Sequence, residues 1–256
     1  MIKIDSVTKT YGKKVAVDNL SLTLKPGTIT GYIGPNGAGK TTTIKMLTGI
    51  LKPDSGKISL NGIDMAKEPE KAKQEFAYIA DSPDLFTALK GLEYITFICD
   101  VYGVEDSVRE ERLSKLLKDF EMEDVVNQRI ESYSHGMRQK IHIIAALMHN
   151  PNLWIMDEPM TGLDPQSSYL LKQKMKEHAA NGNTVLFSTH VLEVAEKLCD
   201  QIAIINKGKL TYTGTLEDLK DRYPDKSLEE IFLIMTESKL FGSNESGDDE
   251  QVIEEA

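Results

Sequence analysis

The chain has 256 residues, 40% of them apolar, enough for one large α/β domain or two small ones, which excludes disorder over most of its length. The formal net charge is -10, but Glu245, Asp248, Asp249, Glu250, Glu254 and Glu255 fall in the last dozen positions without a Lys or Arg. The body therefore carries about -4, and neither value favours a protein whose main task is to grip nucleic acid by neutralising phosphates.

Cys99 and Cys199 fit neither a metal-ligand spacing nor a disulfide framework, so a reducing cytosol is the expected setting. The start MIKIDSVTKT lacks the basic and apolar regions of a signal peptide, and apolar clusters such as Ile141 to Met148 are too short to span a bilayer. A membrane role is expected only through a partner. No internal repeat is visible, and one phosphate-loop pattern implies one nucleotide-binding half.

Ile2 to Val7 and Leu20 to Leu24 alternate apolar and polar residues, predicting antiparallel strands turned at Tyr11-Gly12 and Lys25-Pro26-Gly27. The β-prone run Ile29 to Ile33 then enters Gly34, Pro35, Asn36, Gly37, Ala38, Gly39, Lys40, Thr41 and Thr42, and leaves as a helix that Gly49 can cap. Gly34, four residues, Gly39, Lys40 and Thr41 form a phosphate-binding loop. In such a loop, backbone N–H groups at the positive end of a helix converge on a polyphosphate; Lys40 would reach its terminal phosphates and Thr41 would hold Mg²⁺. Pro53 to Gly56 predicts a turn, with strands over Lys57 to Leu60 and Phe76 to Ile79.

From Asp84 to Asn150 helical periodicity replaces strand signals, with Leu113, Leu116, Leu117 and Phe120 on one face, predicting an inserted helical subdomain at about 84–150. Ser134 is placed to cap a helix running to Asn150-Pro151, with Ile141, Ile144, Ala145 and Met148 facing inward. Leu153 to Met156 is a short apolar strand that delivers Asp157 and Glu158 at its carboxyl end, where open α/β sheets bind ligands. Asp164-Pro165 caps and starts the helix bearing Leu170, Leu171 and Met175, and Thr184 to Ser188 is a further buried strand ending at Thr189-His190. Ile202 to Asn206 and Lys209 to Thr213 form a hairpin; Thr215 with Asp218, and Ser227 with Glu230, resemble capping boxes. The predicted domain is 1–236, followed by an acidic tail at 237–256 whose composition predicts disorder.

Six features stand in one order, and through them the chain resembles the ATP-binding cassette ATPases over roughly residues 1–236. Tyr11 stands where the family places an aromatic ring against adenine, and GPNGAGKTT (34–42) is similar to its Walker A loop. YSHGMRQK (133–140) resembles the signature segment, LWIMDEP (153–159) Walker B, TGLDP (161–165) the D-loop, and STH (188–190) the switch histidine. The resemblance implies an α/β fold: a phosphate-loop NTPase core, whose mixed sheet carries an N-terminal antiparallel β subdomain, with an inserted α-helical subdomain.

It also implies ATP and Mg²⁺ as cofactors. Asp157 and Thr41 would hold the metal, since a hard cation wants oxygen ligands. Glu158 would be the general base for water attacking the γ-phosphate, and His190 would donate to that phosphate and hold base and water in place. Each residue also has a plainer reading: Asp157 as a turn cap, Glu158 as a solvated acid, His190 as a structural side chain, Tyr11 as a turn residue. Ser134 and Gly136 are most simply a helix cap and a close-approach glycine. In the family, however, this helix end, with His135 here between them, contacts the nucleotide of a second cassette, which implies an ATP-bridged dimer with an identical or related subunit. Asp164 would sit at the same interface, although an N-cap role accounts for it almost as well.

Two departures stand out. His135 replaces a glycine usual inside the signature, and Met137 follows Gly136 in place of Gln. In YIADSP (78–83), Asp81 replaces the family's magnesium-contacting Gln; it would face the metal, or merely cap the turn with Ser82 and Pro83. Variants of this sort, and the segment LEEIFLIMTE (228–237), resemble bacterial exporter-type cassettes. The expected function is therefore the ATPase subunit of a membrane exporter. It would lie on the inner face of the cell membrane through separate transmembrane subunits and would have no nucleic acid partner. The alternative is a soluble non-transport cassette ATPase acting on a macromolecular partner. Against that alternative, translation-factor members carry two cassettes in a chain, and repair members insert long coiled coils that the helical segment here does not encode.

Overall fold

The computed structural model describes residues 1–81 and 86–236. The predicted tail, Ser82 and Pro83, and the first two positions of the predicted helical subdomain lie outside the described residues.

Two sheets meet over the phosphate loop. Strands β1 (Ile2–Tyr11), β2 (Lys14–Leu24), β4 (Ser55–Leu60) and β5 (Ile63–Asp64) form an antiparallel sheet in the order β2-β1-β4-β5. Strand β3 (Ile29–Ile33) belongs to a six-stranded sheet with β6 (Phe76–Ile79), β7 (Leu153–Asp157), β8 (Thr184–Thr189), β9 (Gln201–Asn206) and β10 (Lys209–Thr215), in the order β10-β9-β3-β8-β7-β6. Only the hairpin partner β10 is antiparallel; β9, β3, β8, β7 and β6 run parallel. Every residue of β3, β7 and β8 is buried, as expected of central parallel strands covered on both faces.

Helix α1 (Lys40–Leu47) lies between the sheets, and its Ile44, Met46 and Leu47 are wholly enclosed with Tyr32, Leu24 and Leu60. Each such side chain contributes roughly 1.5–3 kcal/mol on burial. The helix ends as predicted: Gly49 takes φ +70° beyond the cap residue Thr48 and its N–H donates to Met46 O at 3.1 Å.

On the other side of the parallel sheet stand α3 (Gly91–Val101), α4 (Asp106–Asp119) and α5 (His135–Met148), which share a core with β6, β7 and β8. Ile141, Ile144, Ala145 and Met148 face inward as expected, and Leu116, Leu117 and Phe120 are buried, with Leu113 packed against them. Helices α6 (Pro165–Ala180), α7 (Leu192–Leu198), α8 (Leu216–Arg222) and α9 (Leu228–Thr236) complete the described chain, α2 (Pro69–Gln74) leading into β6. The Ser227–Glu230 box is reciprocal: Ser227 N donates to Glu230 Oε2 at 2.7 Å and Glu230 N to Ser227 Oγ at 3.2 Å. No described helix is long and apolar enough to cross a membrane.

Several boundaries differ from the pattern-based ones. The β1–β2 hairpin runs to its turn at Gly12, closing on the pair Tyr11 and Lys14, because main-chain pairing continues where both faces are wet and alternation no longer signals a strand. Strand β4 begins at Ser55, inside the predicted turn, since Thr8 and Ser55 pair across a register shift at Gly56 (φ +88°). Helix α2 carries one buried residue, Ala72, and so has no apolar period to find. Helix α5 stops at Met148, two residues before Asn150, whose backbone is left-handed (φ +49°).

Candidate functional site

A cleft of about 330 Å³ opens where the phosphate loop, the β1–β2 hairpin and the carboxyl end of β7 meet. The loop owes its shape to two close approaches: a Cβ at Gly34 would lie 2.4 Å from Ile205 O, and one at Gly39 would lie 2.6 Å from Ala16 O with φ at +113°. Gly39 supplies no side-chain cap, and the first intrahelical bond is Thr43 N to Gly39 O at 2.9 Å. The N–H groups of the first turn are thus left for a ligand at the positive end of α1. Beneath them the buried Lys40 Nζ donates to Gly34 O at 2.6 Å, so the cation is held inside the loop. Burial lowers the Lys40 pKa, and the charges of Glu158 and Asp157 oppose that shift.

The far wall is the end of β7. Asp157 is 2% exposed and accepts from two hydroxyls: Thr41 Oγ1 to Oδ2 at 2.9 Å and Ser188 Oγ to Oδ1 at 2.5 Å. Glu158 follows in a left-handed conformation (φ +49°), its N–H donating to Ser188 Oγ at 3.0 Å. Its Oε2 lies 2.9 Å from His190 Nδ1, and the histidine is otherwise exposed. Helix α5 reaches the same loop, since Gln139 Nε2 donates to Pro159 O at 3.3 Å.

Most of the predicted nucleotide-site residues therefore converge. Tyr11 stands at the lip, 51% exposed, and Asp81 lines the same cleft as Lys40, Thr41, Asp157 and Glu158. Burial, then the charges of Asp157 and Asp81, push the neighbouring Tyr78 hydroxyl above its usual range. Gly34 and Ala38 shape the loop from below: Gly208 N donates to Ala38 O at 2.8 Å. Thr42, Pro35, Asn36 and Gly37 line the opening.

Ser134, His135, Gly136 and Asp164 form a separate group outside the cleft's lining. Ser134 Oγ caps α5, accepting from Met137 N at 3.3 Å, and both Ser134 and His135 are exposed. A Cβ at Gly136 would lie 2.6 Å from Gly162 O, and the His135 ring fills the space beside Gly162. Asp164 caps α6, accepting from Ser167 N at 2.8 Å and Ser167 Oγ at 2.7 Å, and pairs with Lys140 Nζ at 3.1 Å. The Ser167 bonds first, then Lys140, hold its carboxyl well below the usual carboxylate range.

Sequence reasoning missed Lys14 and Ala16 in the cleft wall, and Ser188 as a contact of both acids. The signal for Lys14 was the hairpin turn itself, which sets it opposite Tyr11. Ser188 required knowing that β7 and β8 are neighbours.

A phosphate loop at the carboxyl edge of a parallel sheet, facing two carboxylates at the end of another strand of that sheet, defines a phosphate-loop nucleoside triphosphatase. The profile described as ABC transporter matches residues 17–161, and the chain belongs to that family as an ATPase cassette. It is 37% identical over 238 residues to the ABC-type transporter ATP-binding protein EcsA of Bacillus subtilis (strain 168), covering 92% of this chain and 96% of that one. To the linearmycin resistance ATP-binding protein LnrL of the same organism it is 39% identical over 222 residues, covering 87% and 71%. A solved ATP-binding subunit of an ABC transporter superposes with a TM-score of 0.89 at 34% identity, covering 92% of this chain and 99% of that one. A dimeric ATP-binding cassette in a post-hydrolysis state with ADP and Pi gives 0.77 at 26% identity, covering 84% and 99%.

Proposed function

We propose that this chain is the ATP-hydrolysing subunit of a membrane exporter, working as an ATP-bridged pair of cassettes beneath separate transmembrane subunits. The observation that carries the reading is Glu158, held beside His190 and next to the Thr41–Asp157 pair at the mouth of the phosphate loop. The loop N–H groups and Lys40 bind the triphosphate, and Tyr11 stacks on the base, which by stacking alone does not select adenine. Glu158 takes a proton from the attacking water through its carboxylate, with the His190 imidazole fixing its direction.

The donor set fits Mg²⁺: the Thr41 hydroxyl and Asp157 carboxylate supply hard oxygens, and magnesium sites of this type need one or two carboxylates plus substrate phosphates. When bound there, Mg²⁺ offsets charge on the phosphates. Asp81 contributes to the same metal-facing wall. Ser134, His135 and Gly136 at the start of α5, together with Asp164, contact the nucleotide of the second cassette, identical or related. The export direction draws support from the likeness to a protein named for linearmycin resistance, and from 35% identity over 221 residues to the Nod factor export ATP-binding protein I of Cupriavidus metallidurans, covering 86% of this chain and 73% of that one. The chain then lies on the inner face of the membrane through its partner.

Two measurements test this. Light scattering on Glu158→Gln should show a doubled mass with ATP and Mg²⁺ and a monomer without them; an unchanged mass removes the identical-pair form. Tagged Glu158→Gln should purify from detergent-solubilised membranes of its source with a multi-span protein, and the same assembly prepared with the unsubstituted chain should, in vesicles, turn over ATP in response to cargo. Recovery with soluble macromolecular partners alone would replace the transport reading with the non-transport one.

A further inference from the structure

We infer that Ser188 is a positioning residue for ATP hydrolysis, one hydroxyl that holds the Asp157 carboxylate and the Glu158 backbone as a single unit. The inference rests on the proposed roles of those two acids and extends them to a buried residue outside the cleft's lining.

The parallel pairing of β7 with β8 sets Asp157 directly beside Ser188. Ser188 is wholly buried, so its hydroxyl has no solvent to fall back on. Both of its capacities are used on the site. The O–H donates to Asp157 Oδ1 at 2.5 Å, and the same oxygen accepts the Glu158 N–H at 3.0 Å. An O–H donated to a carboxylate is a strong, short bond, and it leaves the oxygen a better acceptor for the second.

The second bond matters because Glu158 is in the left-handed region (φ +49°), which a residue with a long side chain adopts only when its surroundings impose it. Two bonds impose it: Glu158 N to Ser188 Oγ before the turn, and Thr161 N to Glu158 O at 3.1 Å within it. Along an extended chain, residues two apart face the same way, so Ser188 and His190 serve the same neighbour. The end of β8 thus grips Glu158 twice, by its backbone through Ser188 and by its carboxylate through His190. Thr189, between them, faces elsewhere and accepts from Val191 N at 3.0 Å.

Removing the hydroxyl leaves Asp157 Oδ1 short of a donor and the Glu158 N–H short of an acceptor. Both acids then gain freedom just where one must face a metal and the other a water. Ser188→Ala keeps the size and burial of the side chain. Its kcat for ATP hydrolysis should fall about 10–100-fold, the range for losing a partner that orients a metal ligand, while KM for ATP stays within about threefold. In the Glu158→Gln background, where turnover does not interfere, adding Ser188→Ala should raise by severalfold the Mg²⁺ concentration that half-saturates binding of a fluorescent ATP analogue.

Unchanged kcat and unchanged Mg²⁺ dependence would overturn the inference. So would a fall in kcat matched by an equal rise in KM and a lowered melting temperature, the pattern of a merely structural hydrogen bond. Glu158→Gln alone is assayed in parallel: if it still hydrolyses ATP, the base assignment fails; if it is inactive while Ser188→Ala is normal, only the role of Ser188 fails.

Discussion

His190 Nδ1 and Glu158 Oε2 stand 2.9 Å apart, although the two residues follow different strands of the parallel sheet and the histidine is otherwise open to solvent. The contact holds the Glu158 carboxylate, which lines the cleft, by a ring that is itself exposed.

Glu158→Gln should therefore lower ATP turnover by about 10²–10⁴-fold, the usual worth of a positioned general base, while leaving ATP binding intact. His190→Ala should slow turnover with little change in binding. Steady-state phosphate release with parallel nucleotide titration checks both, and turnover at the wild-type rate in Glu158→Gln would remove it from the mechanism.

Lys40 acts on the ground state, because its Nζ is already directed into the loop at Gly34 O. Lys40→Ala should weaken ATP binding by about 10–100-fold, the worth of a charged hydrogen bond of 1.5–3 kcal/mol. Equilibrium dialysis with labelled ATP reads this directly, and equal affinity for both proteins would contradict the assignment.

Asp81 lines the same cleft as Asp157 and Glu158, so a triphosphate brings a fourth source of negative charge among three acids. Asp81→Asn should improve ATP binding without metal and lower the affinity of the ATP complex for Mg²⁺, while Asp81→Gln should still hydrolyse ATP. Calorimetric titration of ATP with and without Mg²⁺ decides it, and identical metal responses would reduce Asp81 to a turn residue.

His149 gives the fold a pH dependence apart from the cleft. Its ring stacks on Tyr102 at 3.9 Å, its Nε2 is buried without a partner among the described residues, and burial, then His178 and Arg112, lower its pKa from 6.5 to about 4. The unfolded chain thus takes up this proton at higher pH than the folded one. Stability is full above about pH 6.5, falls as pH drops toward 4 and levels below, a change on the order of 3 kcal/mol. Burial likewise lowers the His178 pKa, so that ring adds to the same slope. Urea melts at pH 7.5 and 4.5 should show a smaller loss for His149→Phe, which keeps the stack, than for wild type; equal losses would place the dependence elsewhere.

Features with a local cause can be read along the chain. The loop 34–42 was legible because glycines, a lysine and a threonine at fixed spacing are what a helix start needs to wrap phosphate, and Asp164-Pro165 because an N-cap bonds within its own first turn. Strand β7 was legible from its apolar run, and the resemblance extended the reading to Glu158 and His190. Three-dimensional packing alone sets β8 between β3 and β7, and with it the meeting of Ser188 with Asp157 and the Glu158 N–H. It also brought Ala16 into the cleft wall, and Gln139 of α5 to Pro159. These contacts depend on strand order, register and the seating of one helix, which are set by how separate segments bury their apolar faces together. No spacing along the chain encodes such a meeting, because the residues that meet are local to nothing but the folded core.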